Sequence, residues 1–163
     1  AAFVLDGFAF TAESRVGQAI GQRSRPALIR AIRLTAEFSG AAGLVFCLTI
    51  WLGGSLFIDA LTTNAAVRAI ATDMLPFVAL VPLIGMPAWL LDGVFMGAAA
   101  GRPLRNAALI ATMLYVVIDL GLRGFGETGL WIAFLLGYVL RAAALGMRLL
   151  ALLRTVANPP AAS

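Results

Sequence analysis

Long uncharged stretches alternate with short polar breaks along this chain. Residues 38–58 run for 21 positions without a charge. Residues 74–101 run for 28 positions broken only by Asp92. Residues 106–122 are broken only by Asp119, and residues 128–147 only by Arg141. A hydrocarbon core of about 30 Å takes about 20 apolar residues in helix. Each stretch therefore predicts a transmembrane helix, the longest with tilt or overhang. The first segment, residues 1–21, carries Asp6, Glu13 and Arg15 and predicts the inner part of a helix whose outer end is missing. The expected spans are 1–21, 36–58, 74–100, 104–122 and 128–150. Barrel strands would alternate apolar and polar residues over about ten positions, and these runs do not.

The breaks carry turn chemistry. Gly21 to Arg25 is polar, and Pro26 suits the first turn of the next helix. Asp59 to Asn64 reads as a turn, Gly101-Arg102-Pro103 repeats the Arg-Pro arrangement, and Arg123 to Glu127 is a short loop. The expected organisation is one membrane domain over residues 1–157 and a disordered tail over 158–163. The predicted class is an all-α integral membrane protein, a polytopic helical bundle of four full transmembrane helices and one truncated N-terminal helix.

Composition agrees with the pattern. The chain has 163 residues, of which 61% are hydrophobic and 12% charged; its mean hydropathy is +0.96. A soluble domain carries about a quarter charged residues and needs polar cover for its surface. The pI of about 10.6 does not point to nucleic acid. Every basic residue is an arginine lying between apolar runs, with no basic face or aromatic-interleaved patch. There is no histidine and one cysteine, Cys47, read as a small buried hydrophobe. His/Cys metal sites and Ser-His-Asp or Cys-His catalysis are thereby excluded. The chain is not expected to be an enzyme or to need a cofactor. Its first residues lack the basic n-region and small-residue cleavage site of a signal peptide.

Arginine placement predicts orientation. Arg15, Arg23, Arg25, Arg30, Arg33, Arg102, Arg105, Arg141, Arg148 and Arg154 fall on one side, and Arg68 and Arg123 on the other. By the positive-inside rule the first side is cytoplasmic, as is the C-terminus. The expected location is the inner (plasma) membrane.

Two phrases repeat. Leu5-Asp6-Gly7 is followed by Gly17, Gly21 and Arg25-Pro26; Leu91-Asp92-Gly93 is followed by Gly97, Gly101 and Arg102-Pro103. The order is shared and the spacing is not. The Gly17/Gly21 and Gly97/Gly101 pairs predict close helix packing. Internal repeats of this kind occur in secondary transporters, whose sites lie where the repeats meet.

An ionised carboxylate at a helix centre costs roughly 2.5–3.5 kcal/mol on insertion scales, so an intramembrane acid is a functional candidate by default. Asp92 is the first candidate for a proton, cation or substrate pathway, and Asp6 the second. Helical spacing places Trp89, Phe95 and Met96 near Asp92, and Phe10 near Asp6, as lining for an adaptable apolar cavity. Such a cavity suits flat, cationic, apolar ligands. Pro82 and Pro87 each free a carbonyl and permit bending. The competing reading of Asp92 is a structural hydrogen bond to a neighbouring helix. Asp119 with Arg123, and Arg33 with Glu37, have ion-pair spacing. Asp59 and Asp73 are expected in solvent, and Arg141 and Arg148 are expected to reach toward the membrane surface.

At these residues a resemblance emerges. LDGFAFTAESRVGQAIG resembles the eighth helix of the multidrug and toxic compound extrusion (MATE) transporters, and LDGVFMGAAAGRPLRNA resembles the tenth-helix region of their DinF-like branch. The likeness runs from Ala1 to Arg154. It implies part of a twelve-helix antiporter whose two six-helix lobes surround a central cavity. The chain would supply the inner part of helix eight and helices nine to twelve, and its partner would be the missing N-terminal lobe. The branch's coupling carboxylate lies on the first helix, so no residue here inherits it. Other branches place a coupling acid on the tenth helix, and Asp92 is its positional counterpart. Arg15 departs from the pattern, which has a small or apolar residue there.

The expected function is secondary active multidrug efflux. Small organic, often cationic compounds would leave in exchange for protons or sodium. The alternative is a non-transporting scaffold or inactive fragment whose acids only pack helices.

Overall fold

A computed structural model of the chain describes residues 2–157, with side-chain surroundings for residues 6–154. The tail expected over 158–163 lies outside the described residues. Among those described, the chain is helix and turn without strand. The helices are α1 (Ala2–Gly21), α2 (Arg25–Leu61), α3 (Ala65–Gly97), α4 (Gly101–Leu122) and α5 (Gly126–Ala157), with a 3-10 turn over Arg123–Phe125 between the last two.

By length and composition, three stretches among the described residues can cross a membrane: Arg25–Leu61, Ala65–Gly97 and Gly101–Arg154. The last is bent into α4 and α5 at Gly126, whose φ of 61° suits glycine. The outward faces carry large apolar side chains, among them Leu52, Leu56 and Phe57 on α2 and Met113 and Val117 on α4. An apolar exterior around small buried residues is the arrangement of a bundle whose solvent is lipid.

The helices outlast the hydrophobic runs. At 1.5 Å per residue, the 37 residues of α2 reach about 55 Å, well beyond the hydrocarbon core. Capping sets where they begin. Ser24 precedes α2 and accepts the Ala27 N–H at 3.3 Å, with Pro26 in the first turn. Asn64 precedes α3 and accepts from Ala66 and Val67 at 3.0 and 3.3 Å. The turn expected over Asp59–Asn64 is shorter than that, because α2 continues through Leu61. The span expected to reach residue 100 stops at Gly97, since Ala99 takes a left-handed φ of 52°.

The two repeated phrases lead into matching helix ends. After α1, Ser24 N–H donates to Ala19 O at 3.0 Å and Arg23 N–H to Ile20 O at 2.9 Å, with Arg23 at φ 50°. After α3, Ala100 N–H donates to Phe95 O at 2.9 Å and Ala99 N–H to Met96 O at 2.9 Å. Both are Schellman caps, and the Arg-Pro pairs follow them.

Glycine contacts establish the register. Gly93 lies against the Ala9 backbone and Gly97 against the Glu13 backbone, so α1 and α3 run parallel. Gly43 faces Pro82 and Gly54 faces Leu75, so α2 and α3 are antiparallel. Gly129 meets the Leu122 carbonyl and Gly137 meets Tyr115, closing the α4–α5 hairpin. The close pair on α3 is therefore Gly93 and Gly97, and Gly17 packs beside Gly97. Gly21 and Gly101 face open space, which corrects the expected pairs. The physical reason is the cap: the helix ends between Gly97 and Gly101, so those two never share a helical face.

Ala12, Val16 and Ala19 of α1 pack with Leu28 of α2 and Leu90 and Val94 of α3 in one core. Leu91 and Phe95 of α3 pack with Ala107 of α4 and Leu145 of α5 in another. The middle helix, α3, thus joins both halves.

Candidate functional site

Asp92 is not alone. Arg141 on α5 donates from Nε to both Asp92 carboxylate oxygens at 3.1 Å, and its Nη2 lies 3.0 Å from Oδ2. The two side chains keep 21% and 29% of their surface, too little for an exposed, fully screened pair. Arg141 was expected to extend to the membrane surface; it turns inward because a carboxylate stands within reach on α3. A guanidinium suits this position, since its planar fork engages both carboxylate oxygens at once.

Aromatic rings stack above the pair. Trp89 meets Tyr138 edge-on at 5.2 Å, Tyr138 meets Phe134 at 5.1 Å, and Phe134 meets Trp131 at 6.0 Å. Trp89 leans over Gly85, where a Cβ would stand 2.9 Å from its ring. Tyr138 sits within electrostatic reach of both Arg141 and Asp6. One acid, one guanidinium and a phenol therefore gather where α3 and α5 meet, with Asp6 of α1 within electrostatic reach of the phenol. Asp6 itself is exposed and has no ion pair among the described residues.

The pair lies toward the arginine-rich end. Gly40 lies against Met86 and Gly43 against Pro82, so on these antiparallel helices Asp92 lies beyond both contacts, toward the end of α2 that carries Arg25, Arg30 and Arg33. A carboxylate at the edge of the hydrocarbon is less costly than one at its centre.

The other expected site residues scatter. Phe95 is 1% exposed and packs with Ala107 and Leu145 one turn beyond the Asp92–Arg141 pair, so it is core and not cavity lining. Met96 and Phe10 are exposed. Pro82 is buried against Gly43, Pro87 is exposed, and α3 stays helical through both. Asp59 is exposed, as expected, and also pairs with Arg68 at 3.3 Å across the α2–α3 turn. Asp73 is exposed. Asp119 and Arg123 approach to 3.8 Å and Arg33 and Glu37 to 2.8 Å, as their spacing predicts. Cys47 is buried and free.

A cavity of about 990 Å³ opens between the outer ends of α2, α3 and α5, lined by residues that include Thr49, Phe57, Ile70, Leu75 and Trp131. Trp89, Phe95, Met96 and Phe10 do not line it. A smaller one, about 250 Å³, reaches Arg141 between α4 and α5, beside Tyr115, Phe134 and Tyr138.

Sequence reasoning missed Arg141 and Tyr138, though a signal was present. Trp89-Leu-Leu-Asp92 and Tyr138-Val-Leu-Arg141 share one step, an aromatic and then a charge three residues on, with opposite signs. On parallel helices that step makes ring meet ring and charge meet charge.

The MatE family model matches residues 1–120 of the chain. The DNA damage-inducible protein F of Escherichia coli (strain K12) is 32% identical over 144 residues, which cover 88% of this chain and 31% of the relative. The chain thus spans about a third of that relative's length. No solved structure matches it.

Proposed function

Because the chain belongs to the MatE family, we propose that it forms the C-terminal lobe of a secondary active antiporter exporting organic, often cationic compounds in exchange for protons or sodium. The observation that carries this reading is the Asp92–Arg141 pair in a chain of this family. Arg141 occupies the carboxylate as an internal cation. An incoming proton, sodium ion or cationic substrate group competes with that guanidinium for the same oxygens. Binding then loosens α5 from α3, which ties local chemistry to helix movement. Asp6 and Tyr138 supply further polar groups beside the pair, and Trp89 supplies an aromatic face for the cargo.

The partners in this reading are the lipid bilayer, the small organic substrate and an N-terminal lobe. The arginine-rich end faces the cytoplasm, and the membrane is the inner (plasma) membrane. Access alternates by rocking of one lobe on the other, with bending near Pro82 and Pro87 in support.

The test is efflux of a cationic dye from cells or vesicles carrying the complete transporter. Asp92→Asn is expected to lower efflux at unchanged expression. Wild-type efflux from that variant at every pH would remove Asp92 from the mechanism.

A second reading rests on the same pair. As a scaffold, Asp92 and Arg141 only hold α3 to α5. It predicts that Asp92→Asn lowers stability in detergent and changes no flux.

A further inference from the structure

Arg15 has no part in the site above. It forms no ion pair or hydrogen bond among the described residues, and neither does Arg30. Both line a cleft of about 310 Å³ between α1 and α2, together with Gln18, Gln22 and Leu34. Arg15, Gln18 and Gln22 follow at helical steps of three and four, which puts them on one face. No carboxylate lines the cleft, and Glu37 nearby is held by Arg33 at 2.8 Å. Two guanidiniums and two carboxamides therefore converge without an anion to balance them. A second hollow, lined by Arg25, Ile29, Arg30 and Arg33, continues on the far side of Arg30.

Depth narrows the choice of anion. The α1–α2 hairpin sets Arg15 near Leu34 and Gln22 near Ala27. Leu34 lies four residues, about 6 Å, from Phe38, where the charge-free part of α2 begins. The cleft thus starts at the hydrocarbon edge and rises through the headgroup layer. Below it, Phe38 on α2 is 65% exposed and Phe10 on α1 is 68% exposed. Cationic donors stand above and bare aromatic surface below.

We propose that the α1–α2 cleft binds the phosphate headgroup of an anionic phospholipid. Arg15 and Arg30 donate to the phosphate oxygens, Gln18 and Gln22 to headgroup oxygens, and the acyl chains lie along Phe10 and Phe38. Arginine makes charge-assisted, forked hydrogen bonds to phosphate, and basic pockets at the membrane surface recognise anionic lipid heads. Soluble phosphate would meet the same guanidiniums but leave the aromatic surface bare.

The test is a thermal-shift titration of the detergent-purified protein with phosphatidylglycerol, phosphatidylcholine and inorganic phosphate. Phosphatidylglycerol alone is expected to stabilise it saturably. Arg15→Gln/Arg30→Gln should weaken that binding about thirtyfold, from roughly a fivefold share per arginine. Arg102→Gln/Arg105→Gln, at the same end of the bundle, should leave it within about twofold. Where the double variant fails to fold, Arg15→Gln and Arg30→Gln singly decide, each weakening binding about fivefold. Equal binding by variant and wild type overturns the proposal. So does a wild type that does not prefer phosphatidylglycerol, or inorganic phosphate that reproduces the shift.

Discussion

Asp92 on α3 and Arg141 on α5 are 49 positions apart in sequence and meet through contacts of 3.0–3.1 Å. Trp89 and Tyr138, three residues earlier on each helix, meet with the same offset. The parallel register of α3 and α5 is therefore held at two successive levels, one aromatic and one ionic.

Removing one charge should leave the other unpaired. Asp92→Asn or Arg141→Gln is expected to cost about 2 kcal/mol, between the values for exposed and fully buried pairs. The double variant should lose less than the sum, with a coupling of about 1 kcal/mol. Melting of the four proteins in detergent measures this, and strict additivity would remove the pair as a helix clamp.

Glycine packing makes a sharper contrast. A methyl group at Gly93 or Gly97 would enter the Ala9 or Glu13 backbone, whereas Gly21 and Gly101 have nothing within 4 Å. Gly93→Ala and Gly97→Ala are each expected to destabilise by about 2 kcal/mol. Gly21→Ala and Gly101→Ala should stay within about 0.5 kcal/mol. Thermal melts of the four variants check the ranking, and equal effects would contradict the α1–α3 seam.

Ala99 adopts a left-handed φ of 52° at the end of α3, a conformation in which glycine has no Cβ penalty. Ala99→Gly is expected to stabilise the protein by about 1 kcal/mol. The gain should appear as a higher melting temperature. A lower one would mean that the Schellman cap does not form there.

Orientation can be read by labelling. Cysteines placed at Gln22 and at Thr63, in a background where Cys47 is replaced by alanine, lie at opposite ends of α2. An impermeant maleimide applied to intact cells is expected to modify Thr63→Cys and spare Gln22→Cys. The reverse pattern would invert the positive-inside assignment.

The helical class and the rough position of each helix were legible in the chain itself. Twenty uncharged residues in a row, an Arg-Pro pair after a cap, or Asn64 before an apolar run act on the backbone within a few positions. Local hydrogen bonding and transfer to lipid need no distant partner. The ion pairs Asp119–Arg123 and Arg33–Glu37 were legible for the same reason, being one helical turn apart. Only the tertiary structure decided that Asp92 meets Arg141, that Gly93 rather than Gly101 carries the close packing, and that Phe95 is core. Those outcomes depend on how far one helix slides and turns against another. A shift of one residue turns a helical side chain by about 100°, and nothing local to either helix specifies that shift.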